Sequence, residues 1–267
     1  MMIVPKRVYS LLWIGLIGLI FGLAACDLGS METGPLQTKL ETIEVGNAAT
    51  VTVDVDMGIG KMSVAGGASN LMEGTFSYNV ADWEPEVSYD VSGENGRLTI
   101  KQPDVFVEGF PDENLEYVWN LQFNEDVPMN MHISLGAGES NLNLAKLTLE
   151  TVTVETGAGE TEIRLGGSPL RQADIDAGVG EVLLDMTGDW DADATVSVEA
   201  GVGSFTVVVP SDIGVIVNAD MGLGDLNANG FRMEGDSYVN EAYEDSPVTL
   251  TVSIDGGIGD ITLLLEQ

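Results

Sequence analysis

Apolar and polar residues alternate along most of this chain, and glycines interrupt the alternation at regular intervals. Valines occupy every second position before one such interruption, at Val152 and Val154, and apolar residues resume the alternation after it, at Ile163 and Leu165. A period of two residues with many β-branched side chains predicts a strand with one buried face. The pattern therefore predicts a repeating unit of strand, glycine bend, strand and turn.

The glycine bend is a Gly-x-Gly tripeptide that occurs seven times, with spacings of 21, 21, 23 and 21 residues from the second to the sixth occurrence. The tripeptides begin at Gly58, Gly136, Gly157, Gly178, Gly201, Gly222 and Gly257. A fixed period of this length is typical of repeat proteins in which each unit stacks on its neighbours. We therefore expect an all-β fold built as a single-stranded β-solenoid.

The middle residue of every tripeptide is alanine, valine, leucine or isoleucine, which predicts that it fills the interior at the bend. The glycines permit positive φ and a close approach of neighbouring backbones. The alternative, a phosphate-binding loop, requires a following helix. Because a strand pattern follows each tripeptide, we interpret the glycines as tight corners.

Residues 71–128 break the period and are rich in aromatic side chains. We predict four strands there, with a hairpin loop at Ser92–Gly96; the strands are Gly74–Val80, Glu86–Ser92, Arg97–Gln102 and Tyr117–Phe123. The aromatic residues are Phe76, Tyr78, Trp83, Tyr89, Phe106, Phe110, Tyr117, Trp119 and Phe123. They either form the core of this unit, or line a partner-binding groove in which Trp83 and Trp119 are the anchors.

The N-terminus resembles the export signal of a bacterial lipoprotein. Lys6 and Arg7 precede an apolar run that ends in Leu23-Ala24-Ala25-Cys26. This order is similar to the lipobox, whose cysteine is acylated and becomes the mature N-terminus. The alternative, a transmembrane helix, needs about 20 apolar residues, and this run is shorter. We expect lipidation at Cys26 and anchoring on the extracytoplasmic face of a bacterial cell membrane.

These patterns divide the chain into four predicted regions. Residues 1–25 are the signal peptide and residues 26–45 a short tether. Residues 46–128 are an N-terminal region that carries the aromatic β insertion. Residues 129–267 are the domain of β-solenoid repeats.

The chain is strongly acidic. It has 10 basic and 43 acidic residues, and loss of Lys6 and Arg7 with the signal peptide takes the net charge from −33 to −35. Nucleic-acid binding needs a basic surface and is excluded as a general role. Anionic lipid headgroups are repelled as well, so the acyl chains must hold the protein to the membrane.

Carboxylates recur on both sides of the glycine bends. Two residues before each first glycine stand Asp56, Ser134, Glu155, Asp176, Glu199, Asp220 and Asp255. Directly after each second glycine stand Lys61, Glu139, Glu160, Glu181, Ser204, Asp225 and Asp260. Stacking places equivalent carboxylates about 4.8 Å apart, where they repel by roughly 1 kcal/mol in water and about 3 kcal/mol at an effective dielectric of 20. The two rows are therefore either solvated or neutralised by cations, of which Ca²⁺ fits oxygen ligands best.

Catalytic chemistry has few candidates in this sequence. The single histidine, His132, lies between Met131 and Ile133 at a strand position that faces away from the apolar set. We expect it to face solvent rather than to act as a base or metal ligand. Without a cluster of cysteine and histidine a zinc site is not expected. The sequence predicts a protein that is not an enzyme and has no cofactor apart from a potential Ca²⁺.

Residues 50–267 resemble the bacterial toast-rack proteins, which comprise the LiaF-like C-terminal domain, its toast-rack N-terminal companion and related “putative adhesin” domains. The segments that carry the resemblance are Met57–Gly60, Gly66–Ala68, Glu73–Tyr78, Pro85–Val87, Trp119–Leu121, Val127–Met131 and Gly136–Leu144. The resemblance implies a rack of β-coils similar to a right-handed β-helix. It also implies a non-enzymatic envelope role, in stress or antibiotic response. LiaF carries transmembrane helices ahead of its rack, whereas this chain has a lipobox.

Two functions remain open at this point. The first is a binding or regulatory module of the envelope with a protein or glycan partner. The second is an adhesive or structural surface protein that binds glycan or matrix, with the aromatic insertion and residues 229–247 as contact regions. Both place the membrane, through the lipid anchor, among the partners.

The acidic rows predict that calcium stabilises the fold beyond the effect of ionic strength. A cation that binds only the folded state adds about 2.7 kcal/mol at a hundredfold excess over its Kd. Thermal unfolding in millimolar CaCl₂, in EDTA and in NaCl of matched ionic strength measures the effect. Asp176→Asn with Glu181→Gln should reduce the gain. Equal midpoints in CaCl₂ and matched NaCl would mean that the rows are only solvated.

Overall fold

A computed structural model describes residues 33–105, 114–167 and 169–266. As predicted, these residues are all-β, with one short 3₁₀ helix at Ala81–Trp83. The signal peptide, Cys26, Phe106 and Phe110 lie outside the described residues. The strands are β1 (Gln37–Ile43), β2 (Thr50–Gly66), β3 (Met72–Tyr78), β4 (Glu86–Ser92), β5 (Asn95–Lys101), β6 (Tyr117–Phe123), β7 (Met129–Asn143), β8 (Leu149–Arg164), β9 (Gln172–Asp185), β10 (Ala194–Val209), β11 (Gly214–Leu223), β12 (Leu226–Ala228), β13 (Arg232–Glu234), β14 (Ser237–Val239) and β15 (Thr249–Leu265).

Seven strands that each carry a Gly-x-Gly bend or its first part form the body of one open sheet. They pair in parallel, in the order β2-β7-β8-β9-β10-β15-β11. The pairing is in register, so that Gly138 lies opposite Gly159, and Gly159 opposite Gly180. Because the side-chain period is two, this register puts equivalent residues of all the repeats on one face.

The C-terminal strand does not take the outermost place that its position in the sequence suggests. β15 pairs with β10 on one side and with β11 on the other. β11 is thereby displaced towards the end of the sheet, where β14 pairs with it and β13 with β14. Residues 229–247, the contact region expected for an adhesive protein, contain this short hairpin and cover part of the edge.

The glycine column packs backbone against backbone. At Gly159, Gly180 and Gly203 an added Cβ would lie 1.8 Å from the carbonyl oxygen of the corresponding glycine in the neighbouring strand. The second glycine of every tripeptide also has positive φ, between 137° and 147°. Glycine is therefore required at these positions twice over, by the backbone conformation and by the space.

The core is a stack of rows contributed by alternate residues of each strand. In one row every residue is at most 2% exposed. This row consists of Val53, Met131, Val152, Ala173, Val196, Val252 and Val217. Fully burying a side chain of this size contributes about 1.5–3 kcal/mol. The rows on the two halves of each strand confirm the alternation that the sequence predicts.

The first strand of the stack lacks a preceding repeat, and residues of the aromatic-rich segment occupy the place of one. The Gln102 side-chain oxygen accepts hydrogen bonds from the backbone N–H groups of Gly58 and Ile59, at 2.9 and 3.2 Å. A Cβ added to Gly60 would lie only 2.4 Å from the Tyr117 carbonyl oxygen. β5 pairs with the first half of β2 and β6 with the second half.

The strands predicted in the aromatic-rich segment are present with small differences in their ends. Glu86–Ser92 and Tyr117–Phe123 are strands with the predicted bounds. The hairpin between β4 and β5 is tighter than predicted, since Ser92 pairs directly with Asn95. Gly93 in this turn has a φ of 65°, which favours glycine.

The predicted tether, residues 26–45, is in part a strand, and this is a correction. β1 pairs antiparallel with β3 over its whole length. The sequence gives no sign of it because Leu40 is 74% exposed while the charged Lys39 is half-buried. Lys39 lies 3.2 Å from both Glu41 and Glu84, so ion pairs and backbone hydrogen bonds hold this edge strand.

The opposite end of the sheet is closed by one buried amide. Asn240 is 1% exposed. Its side-chain oxygen accepts a hydrogen bond from the Val215 N–H at 3.0 Å, and its amide group donates to the Ile213 carbonyl at 2.7 Å. These bonds satisfy backbone groups at the start of the last long parallel strand, next to the two residues that pair with β14.

The glycine column generates a prediction with an internal control. Gly180→Ala should destabilise the protein by more than about 4 kcal/mol, because a Cβ there meets a backbone carbonyl. Gly235→Ala should cost only about 1–2 kcal/mol, since Gly235 has a φ of 64° with nothing within 4 Å of an added Cβ. Urea unfolding measures both variants. Equal losses would show that the backbone conformation, and not the close contact, dominates.

Candidate functional site

Five of the seven middle residues of the Gly-x-Gly tripeptides are exposed, and the prediction that the middle residues fill the interior is wrong for these five. Ala137 and Ile59 are half-buried, and Ile59 packs against the core. Ala177 is 7% exposed, Val179 57% and Val182 8%. Inward positions on either side of the bend are therefore five residues apart, and the bend interrupts the alternation of two. The strand leaves the bend with its side-chain phase changed, which turns the middle residue outwards.

Because the strands are in register, the middle residues line up as a continuous row along the bend. We call this row the apolar ridge. In spatial order it consists of Ile59, Ala137, Ala158, Val179, Val202, Ile258 and Leu223. At about 4.8 Å per strand the ridge is about 29 Å long. Its bulkiest and most exposed members are adjacent, at the C-terminal end of the stack.

The two acidic rows lie on either side of the apolar ridge, aligned as the sequence predicts. Asp176 pairs with Glu155 and with Glu199 in the backbone register of one row. Glu160 pairs with Glu139 and with Glu181 in the other. The carboxylates of both rows are exposed. They make this edge of the molecule a strip of apolar side chains between two lines of negative charge.

Two basic side chains reach into the acidic rows at the N-terminal end of the stack. The Lys61 ammonium bonds both carboxylate oxygens of Glu139, at 2.9 and 3.0 Å, which raises the pKa of Lys61 above its ordinary value. His132 faces outwards, as predicted, and its Nε2 lies 3.6 Å from Glu155. Beyond Glu155 the rows contain no basic residue.

The structure leaves cation binding by the acidic rows as a prediction. Within residues 33–105, 114–167 and 169–266 no three acidic, histidine or cysteine side chains converge closely enough to hold a metal ion. At the C-terminal end, two neighbouring members of the second row are in contact, since the Asp225 backbone N–H donates to the Asp260 carboxylate at 3.3 Å.

A groove of about 620 Å³ runs across the outer face beside the second acidic row. Its lining mixes carboxylates, such as Glu160 and Glu162, with hydroxyl and amide groups, such as Ser63 and Asn141. Hydrogen bonds between neighbouring strands order part of this lining, for example from Asn141 to Glu162 at 2.7 Å. The groove is broad, and apolar side chains such as Val118 and Leu183 lie beside its carboxylates, as in a binding face for a large partner.

The predicted partner anchors Trp83 and Trp119 are core residues, and the anchor interpretation is corrected. Trp83 is 5% exposed and Trp119 is fully buried. Trp119 packs edge-on against Phe76 with ring centroids 5.5 Å apart, and Trp83 packs against Tyr117 at 5.4 Å. The Tyr117 hydroxyl donates to the Trp83 carbonyl at 2.8 Å, and burial raises the pKa of the Tyr117 phenol. The aromatic side chains thus form the core that caps the sheet.

Sequence reasoning missed the capping residues and misplaced the ridge. Gln102 and Asn240 are isolated polar residues without a repeated pattern, so no local signal marks them as end caps. The ridge did have a signal, because an apolar residue stands between two acidic rows in every repeat. An alternation that continued through the bend would place that residue inside. The change of phase at the bend places it outside instead.

The sequence matches the model of a protein family described as the N-terminal domain of toast_rack, DUF2154, over residues 32–173 and 164–208. The chain belongs to this toast-rack family. The matched residues include the aromatic-rich segment and four of the bent strands, from β2 to β9, with most of β10. No curated protein matches the sequence.

Solved structures are similar to this chain as well. A “putative cell adhesion protein” from Clostridium sporogenes ATCC 15579 is 31% identical, covers 87% of this chain and 100% of its own, and has a TM-score of 0.68. A “putative adhesin” from Bacteroides fragilis NCTC 9343 is 10% identical, covering 88% of this chain and 100% of that chain with a TM-score of 0.34. Another, from Parabacteroides distasonis ATCC 8503, is 11% identical, covering 85% and 97% with a TM-score of 0.31. Likenesses as weak as the last two carry no functional argument.

In the part of the chain that the structure describes, no helix is long and apolar enough to cross a membrane.

Burial of the indoles generates a spectroscopic prediction. Trp83, Trp119 and Trp190 are exposed by 8% at most, and Trp190 donates its indole N–H to the Met186 carbonyl at 2.9 Å. We expect emission well to the blue of free tryptophan and weak quenching by acrylamide, both lost on unfolding in guanidinium chloride. The buried placement would be contradicted if acrylamide strongly quenched the fluorescence of the folded protein and if Trp83→Phe or Trp119→Phe removed that quenching. Trp83 and Trp119 would then be surface anchors after all.

Proposed function

We propose that this toast-rack protein is a lipid-anchored, non-enzymatic binding module on the extracytoplasmic face of a bacterial cell membrane. The observation that supports this most is the regular edge of the stack, where an apolar ridge runs between two rows in which most positions are acidic. Repetition of this kind presents an extended surface to a large partner. A small substrate would instead require a pocket with a few convergent groups.

The proposed anchor is the acylated Cys26. The lipobox-like order of residues around it supports the proposal, as does the charge, since a mature protein of −35 is repelled by anionic headgroups and needs acyl chains to stay bound. Mass spectrometry of the N-terminal peptide tests it. A Cys26→Ala protein that remains in the membrane fraction would place the anchor elsewhere.

We also infer that the bent strands are coils of a single-stranded, right-handed β-solenoid, with the aromatic-rich segment inserted after the first coil. The parallel in-register pairing of β7, β8, β9 and β10 in sequence order supports this. The exchange of β15 and β11 at the end is a local departure. The division into regions at residues 128 and 129 remains a prediction.

The resemblance to LiaF-like proteins favours a regulatory binding role in envelope stress or antibiotic response. Adhesion to glycan or matrix is the second candidate, favoured by the structure from Clostridium sporogenes, whose description is “putative cell adhesion protein”. The two differ in the partner: a discrete envelope protein in the first case, a polymer surface in the second.

Affinity capture separates the two candidates. With the mature protein immobilised, the regulatory role predicts recovery of one or a few stoichiometric proteins from an envelope extract. The adhesive role predicts retention on purified cell-wall polymer or host matrix instead. A deletion strain that is more sensitive to wall-active antibiotics would support the regulatory role. If the protein captured no partner and was retained on neither polymer, the proposal of a binding module would be contradicted.

A further inference from the structure

We propose that the C-terminal half of the apolar ridge binds a basic amphipathic helix of a partner protein. The surface consists of Val179, Val202, Ile258 and Leu223 with the carboxylates that flank them. This inference rests on the proposed binding function and names the chemistry of the partner.

The four apolar side chains form an unbroken exposed row. Val179 is 57% exposed, Val202 48%, Ile258 54% and Leu223 69%. They are direct neighbours in the register of β9, β10, β15 and β11. Single exposed apolar residues are ordinary on protein surfaces, but a contiguous row rimmed by polar residues marks an interaction site. A small hollow of about 30 Å³, lined by Ala200 and Phe205 among others, deepens the row.

The charges beside this row define what the partner carries. Seven carboxylates flank the four apolar residues, namely Asp176, Glu199, Asp255 and Asp220 on one side and Glu181, Asp260 and Asp225 on the other. The eighth flanking position is Ser204. A second copy of this chain would oppose like charges, and anionic lipid would be repelled as well. The complementary surface is an apolar stripe with lysine or arginine along both sides.

The backbone under the ridge favours a helix over an added strand. β9, β10 and β15 have strands paired on both sides, so their backbone groups are unavailable for β-augmentation. Recognition at these three strands therefore runs through side chains alone. The ridge rises by about 4.8 Å per strand, close to the pitch of about 5.4 Å of an α-helix. Successive turns of a helix can place one apolar residue near each member of the row.

The four residues span about 14 Å, which corresponds to about ten residues of helix. Basic residues at the flanks of such a helix lie on both sides of its apolar stripe, as in basic amphipathic segments generally. Each flank then faces one acidic row. This arrangement desolvates the apolar row and leaves the charge pairs at the rim, where they set specificity and association rate more than affinity.

A designed helix tests the proposal directly. The probe is a fluorescent peptide of about 18 leucine and lysine residues with one apolar face, and the controls are a scrambled peptide of the same composition and a peptide with glutamate in place of lysine. The mature lipoprotein is held in phosphatidylcholine nanodiscs, with empty nanodiscs as the blank. We expect saturable binding of the amphipathic lysine peptide alone, weakened by salt.

Matched double variants locate the site. Val202→Thr with Ile258→Thr keeps β-branched residues on the strand and should weaken binding by roughly tenfold. Leu40→Thr with Val91→Thr changes two exposed apolar residues at the other end of the sheet and should leave binding unchanged. Thermal unfolding confirms that both proteins fold. Glu199→Gln with Asp255→Asn should also weaken binding and flatten its salt dependence.

The proposal is overturned if no peptide binds, if the scrambled peptide binds as tightly, or if the ridge and control variants behave alike. The last two outcomes would mean unspecific attraction to an acidic protein. Capture from an envelope extract keeps this result separate from the proposed function. If wild type and the ridge variant recover the same discrete partners, the ridge assignment fails while the binding role stands.

Discussion

The close contact between glycine backbones of neighbouring strands is the constraint on which the rest of this structure depends. Carbonyl oxygens occupy the places that Cβ atoms would need, 1.8 Å away at Gly159 and Gly180. The strands can therefore bend together only where every strand has glycine, and this fixes the register of the whole stack. The same bend shifts the alternation of inward and outward side chains. It thereby directs the middle residue of the tripeptide outwards, between the two acidic rows.

A stack of this kind has a problem at its ends, because the outermost strand has backbone groups without a partner. The chain solves it with non-repetitive residues. At one end Gln102 and the Tyr117 carbonyl occupy positions next to Gly58 and Gly60 that a neighbouring strand would otherwise fill. At the other end Asn240 satisfies backbone groups around β11. The aromatic core lies beside the first cap, since the Trp119 ring packs against the Tyr117 ring with centroids 5.7 Å apart.

The repeated features were predictable from sequence and the single features were not. Alternation and glycine corners recur in every unit and acidic row positions in most of them, so one physical rule applied to each repeat predicts them. The orientation of Val179 was not predictable, because it depends on a phase change inside the bend. The place of β15 was not predictable either, since a strand with this pattern fits beside β10 or beyond β11 equally well. β1 has no apolar alternation, because it is held by backbone pairing and by Lys39. Its sequence therefore gave no reason to predict a strand within the tether.

The functional account depends on the ridge being exposed and on the strand order that aligns it, and disulfide formation tests both at once. In a Cys26→Ser background, Val202→Cys with Ile258→Cys places two cysteines on adjacent strands with their Cα atoms about 4.8 Å apart, within the Cα–Cα range of a disulfide. Val202→Cys with Leu223→Cys places them two strands apart, at about 10 Å, outside that range. Under mild oxidation of the folded protein the account predicts rapid crosslinking of the first pair and none of the second. Crosslinking of the second pair but not the first would contradict the strand order, and protection of both pairs from oxidation and from thiol reagents would contradict the exposed ridge.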